Sequence, residues 1–222
     1  LEKPLQDAPR QKVLTEVELA ALLPTFKDHH GVCAKFMLLT GARISEATAA
    51  TWSQIDLEAK TWTIPPERLK DTRSLQARRH KPKPALVIPL SQQAVRLLID
   101  AREAELIKRQ VNGIKETIHE HDLLLVGPRG AKLKNWHRWI KTITAATGIT
   151  GWSAHALRRT TATLAGDLGA PPHVVSVILG HSNVGGQLVA GYNHSTYRSE
   201  HRRILQRVAD RLEEMEGSVT YE

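Results

Sequence analysis

Residues 153–181 read SAHALRRTTATLAGDLGAPPHVVSVILGH. Ser153 is a good N-cap, and the pattern behind it predicts a helix over 154–168. A second helix, 172–179, carries proline in its first turn, where the missing N–H costs nothing. Gly180 closes that helix and sets His181 just past its end. Within the first helix His155 and Arg158 lie three apart, on one face near the N-terminus, where the macrodipole favours anions. An imidazole that titrates near neutrality beside a permanent cation suits a phosphate. A capping histidine next to a solvated arginine is the plainer reading of the same letters.

Helical patterns recur on both sides. Thr15-x-x-Glu18 forms a capping box, with Leu14 placed to staple onto Leu19. A helix over about 30–39 presents Val32, Phe36 and Leu39 on one face and ends at Gly41. Another runs from Arg43 to about Ala50. The period then changes: 53–56, 60–64 and 85–89 carry β-type runs, which predict a small three-stranded antiparallel sheet. Helices follow over 91–111, 133–147 and 196–216. The expected fold is mainly α (α+β), with that one small sheet inserted early. Residues 1–13 read as an arm or linker remnant, 14–216 as one domain ending in the helix 196–216, and 217–222 as a tail. The chain opens on Leu1, which suggests a piece of something longer.

A chain of 222 residues can bury a core without staples. Its 31 Lys and Arg against 23 Asp and Glu give a formal charge of +8, which suits a polyanionic partner. The single cysteine, Cys33, excludes an internal disulfide and a multi-cysteine zinc site. No apolar run approaches the roughly 20 residues that cross a bilayer. Neither GxxxxGK[ST] nor GxGxxG is present, so no nucleotide cradle is visible. The segment 65–84 holds Arg68, Lys70, Arg73, Arg78, Arg79, Lys81 and Lys83 against only Glu67 and Asp71. A loop of about 20 residues is more often functional than idle.

Two further stretches offer groups for phosphate chemistry. In Thr40-Gly41-Ala42-Arg43-Ile44-Ser45-Glu46, Glu46 sits three residues beyond Arg43 and can hold its guanidinium for bidentate contact. A surface ion pair of little value is the alternative. Tyr192, in Ala190-Gly191-Tyr192-Asn193-His194, could pack or attack; its ordinary pKa of about 10 makes it a poor nucleophile unaided.

In chain order, Arg43, His155-x-x-Arg158, Leu179-Gly180-His181 and Tyr192 resemble the signature of the tyrosine recombinases, the phage-type integrases. Flanking text is similar too: MLLTGARISEA at 37–47, TWSQIDLEAKTWTIPPERLK at 51–70 and VIPLS at 87–91. The resemblance spans about 14–211. It implies a catalytic domain that cuts and rejoins DNA through a covalent 3′-phosphotyrosine, with no metal or other cofactor. By the same resemblance Arg43 and Arg158 clamp the scissile phosphate, and His155 and His181 donate to its oxygens or shuttle a proton. Tyr192 attacks, Lys70 of "ERLK" protonates the leaving oxygen, and Glu46 supports Arg43. The hairpin is longer than is usual for the family, which leaves Lys81 and Lys83 as rivals of Lys70. The gap from His181 is also slightly long, which leaves Tyr197 as rival of Tyr192. Type IB topoisomerases use the same residue set, and a non-catalytic DNA-binding protein could retain the scaffold. A Holliday-junction assay and a phosphotyrosine trap separate these.

The resemblance further implies double-stranded attachment sites as substrate, a homotetramer in the synaptic complex and a monomer without DNA. A directionality factor, a core-binding domain ahead of residue 1, and a bacterial cytoplasmic, nucleoid-associated location are also implied. In the last helix Ile204, Val208, Leu212 and Met215 form an apolar stripe flanked by Arg198, Arg202, Arg203 and Arg207. That stripe either folds back on its own domain or, as in the family's synapse, packs on a neighbour. Other features read as structural. His119-Glu120-His121 suits a solvated loop, and His29-His30 carries no evident chemistry. Trp136, Trp139 and Trp152 suit packing. Arg73, Arg78, Arg79, Lys132, Lys134, Arg138 and Arg159 are expected to meet DNA. If six or more phosphates are neutralised, affinity for DNA should fall about three decades between roughly 50 and 200 mM salt. A flat salt titration by fluorescence anisotropy would count against a basic DNA-binding face.

Overall fold

The computed structural model describes residues 12–69, 84–114, 117–180 and 198–218. The chain enters through α1 (Glu16–Leu22), where Thr15 Oγ1 accepts from Glu18 N (3.2 Å) and Glu18 Oε2 accepts from Thr15 N (3.0 Å). Leu14 is buried, and its N–H donates to Thr160 Oγ1 at 2.9 Å, so the entry point is tied to a helix far along the chain. A 3-10 turn, Leu23–Thr25, leads to α2 (His29–Thr40), capped by Asp28 Oδ1 accepting from Gly31 N at 2.7 Å.

α2 is the axis of the molecule. Cys33, Ala34, Phe36, Met37, Leu38 and Leu39 are all buried, so the helix is apolar nearly all round rather than along one stripe. Burial also holds the Cys33 thiol up to about 12. Gly41 ends α2, and the short α3 (Ile44–Ala47) follows, with Arg43 at its extended N-cap. It is shorter than the 43–50 span expected. The sheet has the expected form: β1 (Ile55–Asp56), β2 (Thr61–Ile64) and β3 (Leu86–Pro89) pair antiparallel in that order. Trp62 faces Ile88, and Ile64 faces Leu86. β1 starts later than expected because Trp52–Gln54 winds into a 3-10 turn.

α4 (Gln92–Val111) is capped by Ser91 Oγ accepting from Ala94 N at 3.2 Å. α5 (Trp136–Thr147) begins three residues later than its pattern suggested, because Asn135 takes a left-handed conformation (φ 60°) and interrupts the run. The tryptophans pack as expected. Trp139 and Trp152 are buried, and Trp139 Nε1 donates to Asp28 Oδ1 at 3.0 Å, fastening α5 to the start of α2. α6 (Ala154–Asp167) and α7 (Pro172–Ile178) follow, and α8 (Arg198–Gly217) closes the described chain. No described helix is long and apolar enough to cross a membrane.

The apolar stripe of α8 lies on its own domain. Ile204, Leu205, Val208, Leu212 and Met215 are all buried, with α8 packed on α1, α2, α4, α6, α7 and β3. Of the two destinations open to the stripe, this structure shows the one in cis. Its flanking arginines serve the same docking: Arg202 Nη2 donates to Ala59 O (3.0 Å) and Arg207 Nη1 to Leu168 O (2.5 Å).

α8 also buries His201, which is 1% exposed, and desolvation lowers its pKa to about 4. The unfolded chain takes up this proton near the ordinary value, about 6.5. Between those pH values the unfolded state therefore binds more protons, and stability falls as pH drops. The loss should begin near the ordinary value and reach about 3 kcal/mol once the folded group itself titrates. Urea unfolding across this range should show the slope in the native chain and a flatter profile in His201→Leu. Equal slopes would remove His201 as its source.

Candidate phosphate-binding site

The ends of α2 and α7 meet at the side of α6. The first is the end of α2. Gly41 adopts φ +66°, its N–H donates to Met37 O at 2.8 Å, and a Cβ on it would lie 2.9 Å from Ile178 Cγ2. Conformation and the approach of α7 both require glycine there. The chain then turns outward through Ala42 to Arg43.

One carboxylate fixes Arg43 twice. Glu46 Oε2 accepts from Arg43 N (2.8 Å) and Glu46 Oε1 from Arg43 Nη1 (2.7 Å). The Glu46 side chain is 1% exposed and that of Arg43 24%. This is no surface ion pair. The carboxylate is inside, the guanidinium half out, and the remaining N–H groups of Arg43 can reach an incoming anion.

Arg158, on α6, is 4% exposed. Nη1 donates to Gly41 O at 2.5 Å and Nη2 to Leu179 O, so the guanidinium bridges the carboxyl ends of α2 and α7. Both carbonyls lie at the negative pole of a helix. Burial lowers its pKa to about 10, Arg43 pushes the same way and Glu46 opposes. Arg158 remains a cation at neutral pH, but a costly one, with a second cation beside it.

His155 projects one turn earlier on α6. The ring is exposed, yet some desolvation, then the charges of Arg159, Arg158 and Arg43, hold its imidazole below the ordinary value, which favours the neutral form. The charges of three guanidiniums are felt at the ring. The site thus gathers Arg43, Glu46, His155 and Arg158, with Arg159 alongside. It has a surplus of positive charge and of hydrogen-bond donors, which complements the charge of a phosphodiester.

The other expected site residues divide into two groups. Lys70, Arg73, Arg78, Arg79, Lys81, Lys83, His181, Tyr192 and Tyr197 lie outside the described residues. Lys132, Lys134 and Arg138 are described and exposed, and they line a separate groove with His30 and Trp139. His30, assigned no chemistry from sequence, stacks on Trp139 (5.8 Å, 17°) and bonds through Nε2 to Lys134 O at 2.7 Å. His119-Glu120-His121 includes a solvent-exposed contact, His121 Nε2 to Glu120 Oε1 at 3.3 Å. Among the described residues no group of three or more His, Cys, Asp or Glu side chains could hold a metal. Sequence reasoning missed the acceptors of Arg158, because Gly41 O and Leu179 O are backbone atoms. The left-handed glycines beside them were the available signal.

The sequence model described as the phage integrase family matches residues 12–199. The chain belongs to the phage integrase family. It is 28% identical over 179 residues to prophage integrase IntA of Escherichia coli K12, covering 79% of this chain and 37% of that protein. It is 36% identical over 91 residues to the putative protein IntB of the same organism, covering 40% and 20%. The chain thus spans little more than a third of the length of the first of these relatives. Among solved structures, the Tn1549 transposon integrase in complex with circular intermediate DNA aligns with TM-score 0.56 at 18% identity, over 90% of this chain and 66% of that one. XerA recombinase gives TM-score 0.56 at 20% identity, over 86% and 64%. XerH site-specific recombinase bound to its difH substrate gives 0.53 at 22%, over 95% and 52%. The fold is that of tyrosine recombinase catalytic domains.

Among the described residues Glu46 is the one carboxylate that bonds Arg43. Glu46→Ala should leave two adjacent guanidiniums facing each other and two donors unsatisfied, at a cost of about 2–3 kcal/mol. A lower urea midpoint with an unchanged m-value is the expected reading; an unchanged midpoint would return the pair to the status of a surface contact.

Proposed function

We propose that residues 14–216 are the catalytic unit of a site-specific DNA recombinase of the integrase kind, acting on double-stranded attachment sites. The observation that carries this reading is the buried Arg158 guanidinium set beside Arg43, with Glu46 behind it and His155 on the open side. A buried cation whose described partners are backbone carbonyls is completed by an anion. Attack on a phosphodiester builds negative charge on the non-bridging oxygens, and two guanidiniums with imidazole donors can stabilise that charge.

In the proposed reaction Tyr192 Oη attacks phosphorus and passes its proton to His155 or His181, the P–O5′ bond breaks, and Lys70 gives a proton to the leaving 5′-oxygen. The 3′-phosphotyrosine retains the energy of the broken bond. A 5′-hydroxyl from a partner strand then attacks the same phosphorus and releases the tyrosine. His155 and His181 donate to the non-bridging oxygens. Lys132, Lys134, Arg138, Arg159 and the basic residues Arg73, Arg78 and Arg79 meet the flanking backbone. Assembly as a homotetramer on paired sites belongs to the same reading.

Two substitutions test the chemistry on DNA carrying a 5′-bridging phosphorothiolate at the cleavage position. Tyr192→Phe should abolish the covalent adduct while leaving binding nearly unchanged, since the phenolic oxygen adds little to ground-state affinity. Adducts persisting in Tyr192→Phe but lost in Tyr197→Phe would move the nucleophile. Lys70→Ala should slow cleavage of ordinary DNA severely, yet cut the sulfur substrate at near the native rate, because a leaving thiolate needs no proton. Sulfur rescue confined to Lys81→Ala or Lys83→Ala would assign the acid to that lysine.

A further inference from the structure

Leu86 opens β3 and belongs to none of the motifs above. It pairs with Ile64 at one end of the β2–β3 ladder and is half-buried against the core. Its contact with the site runs through Gly180, whose φ is +57° and whose N–H donates to Val177 O at 2.8 Å. A Cβ on Gly180 would lie 2.8 Å from Leu86 Cδ2, 3.9 Å from Leu86 Cδ1 and 3.9 Å from Arg43 Nη1. The leucine tip therefore fills the notch left by the missing Cβ, and the tip of Arg43 borders the same notch.

Arg43 Nη1 is held by Glu46 Oε1 at 2.7 Å, a contact that fixes one nitrogen but not the swing of the guanidinium plane. An apolar side chain next to the guanidinium would limit that swing and keep water from one side of the ion. A charge-assisted hydrogen bond strengthens in poorly hydrated surroundings. We infer that Leu86 is a positioning residue for Arg43: seated on Gly180, it turns the guanidinium toward Arg158 and dries its flank, so that both arginines engage one phosphate. This inference rests on the phosphate reading of the two-arginine site. It also makes β3 part of the site, since any shift of the strand moves the wall.

The test needs no cognate DNA. Inorganic phosphate is titrated into the 15N-labelled chain at constant ionic strength, following the Nε–Hε signals of Arg43 and Arg158, assigned through Arg43→Lys and Arg158→Lys. In the native chain both signals should move with one affinity. Leu86→Ala should weaken binding about tenfold, and Leu86→Met, which refills the notch, should stay within about threefold of native. Gly180→Ala should weaken binding comparably by evicting the leucine. The double variant Gly180→Ala, Leu86→Ala should bind no worse than Leu86→Ala alone, although the left-handed alanine lowers its melting temperature. Such non-additivity is the signature of one shared contact. Native affinity in Leu86→Ala, or losses that multiply in the double variant, overturn the inference while leaving the phosphate site standing. Absence of any shift at either arginine in the native chain removes the phosphate reading, and this inference with it.

Discussion

A charged guanidinium inside a protein must be met by acceptors, and Arg158 is met by two helix ends. Gly41 O and Leu179 O have to arrive at the same place, which forces α2 and α7 to terminate against each other. Ile178 then lies so close to Gly41 that no side chain fits there. Two threonines on the buried face of α6 serve the same docking. Thr161 Oγ1 donates to Leu38 O at 2.9 Å, and Thr160 Oγ1 receives the Leu14 N–H. Polar residues in the interior of a helix are usually a penalty; here Thr161 ties α6 to α2 and Thr160 ties it to the chain entry ahead of α1. Burial and Arg43, opposed by Glu46, together lower the pKa of Arg158 to about 10, a net of about 3 kcal/mol against the charged form and far too little to neutralise it at neutral pH.

The helices that could be read from sequence were those with chemical punctuation. Thr15, Ser91 and Ser153 each cap a backbone N–H as their letters suggested. α2 was legible as a helix but not in its environment, because a segment buried nearly all round has no polar face to betray its orientation. The start of α5 was hidden for a local reason: nothing in the letters Leu133 to Asn135 announces a left-handed asparagine. The sheet was legible through its short β-type runs, whereas Trp52–Gln54 joined a 3-10 turn instead of extending β1.

The site divides along the same line. Arg43, Glu46, His155 and Arg158 could be picked out because charge, spacing and chain order are carried by side chains. The groups that hold Arg158 could not, since carbonyl oxygens have no letter of their own. Leu86 was invisible for another reason. A leucine at the start of a strand is ordinary, and only the distance to a glycine nearly a hundred positions later gives it meaning. α8 shows the limit of amphipathic patterns in general: a stripe states that burial will occur and leaves open which surface supplies it.

Cys33 sits on α2 with no exposure, and its thiol, raised to about 12, holds almost no thiolate at neutral pH. It is also the sole cysteine of the chain. The folded protein is therefore silent toward maleimides and iodoacetamides. Any cysteine placed on the outside becomes a unique chemical handle without first stripping the native one. A fluorophore or spin label on α8 and a second on β3 could report in real time how the closing helix and the sheet move when a long anionic polymer is engaged. The core packing around α2 would stay untouched.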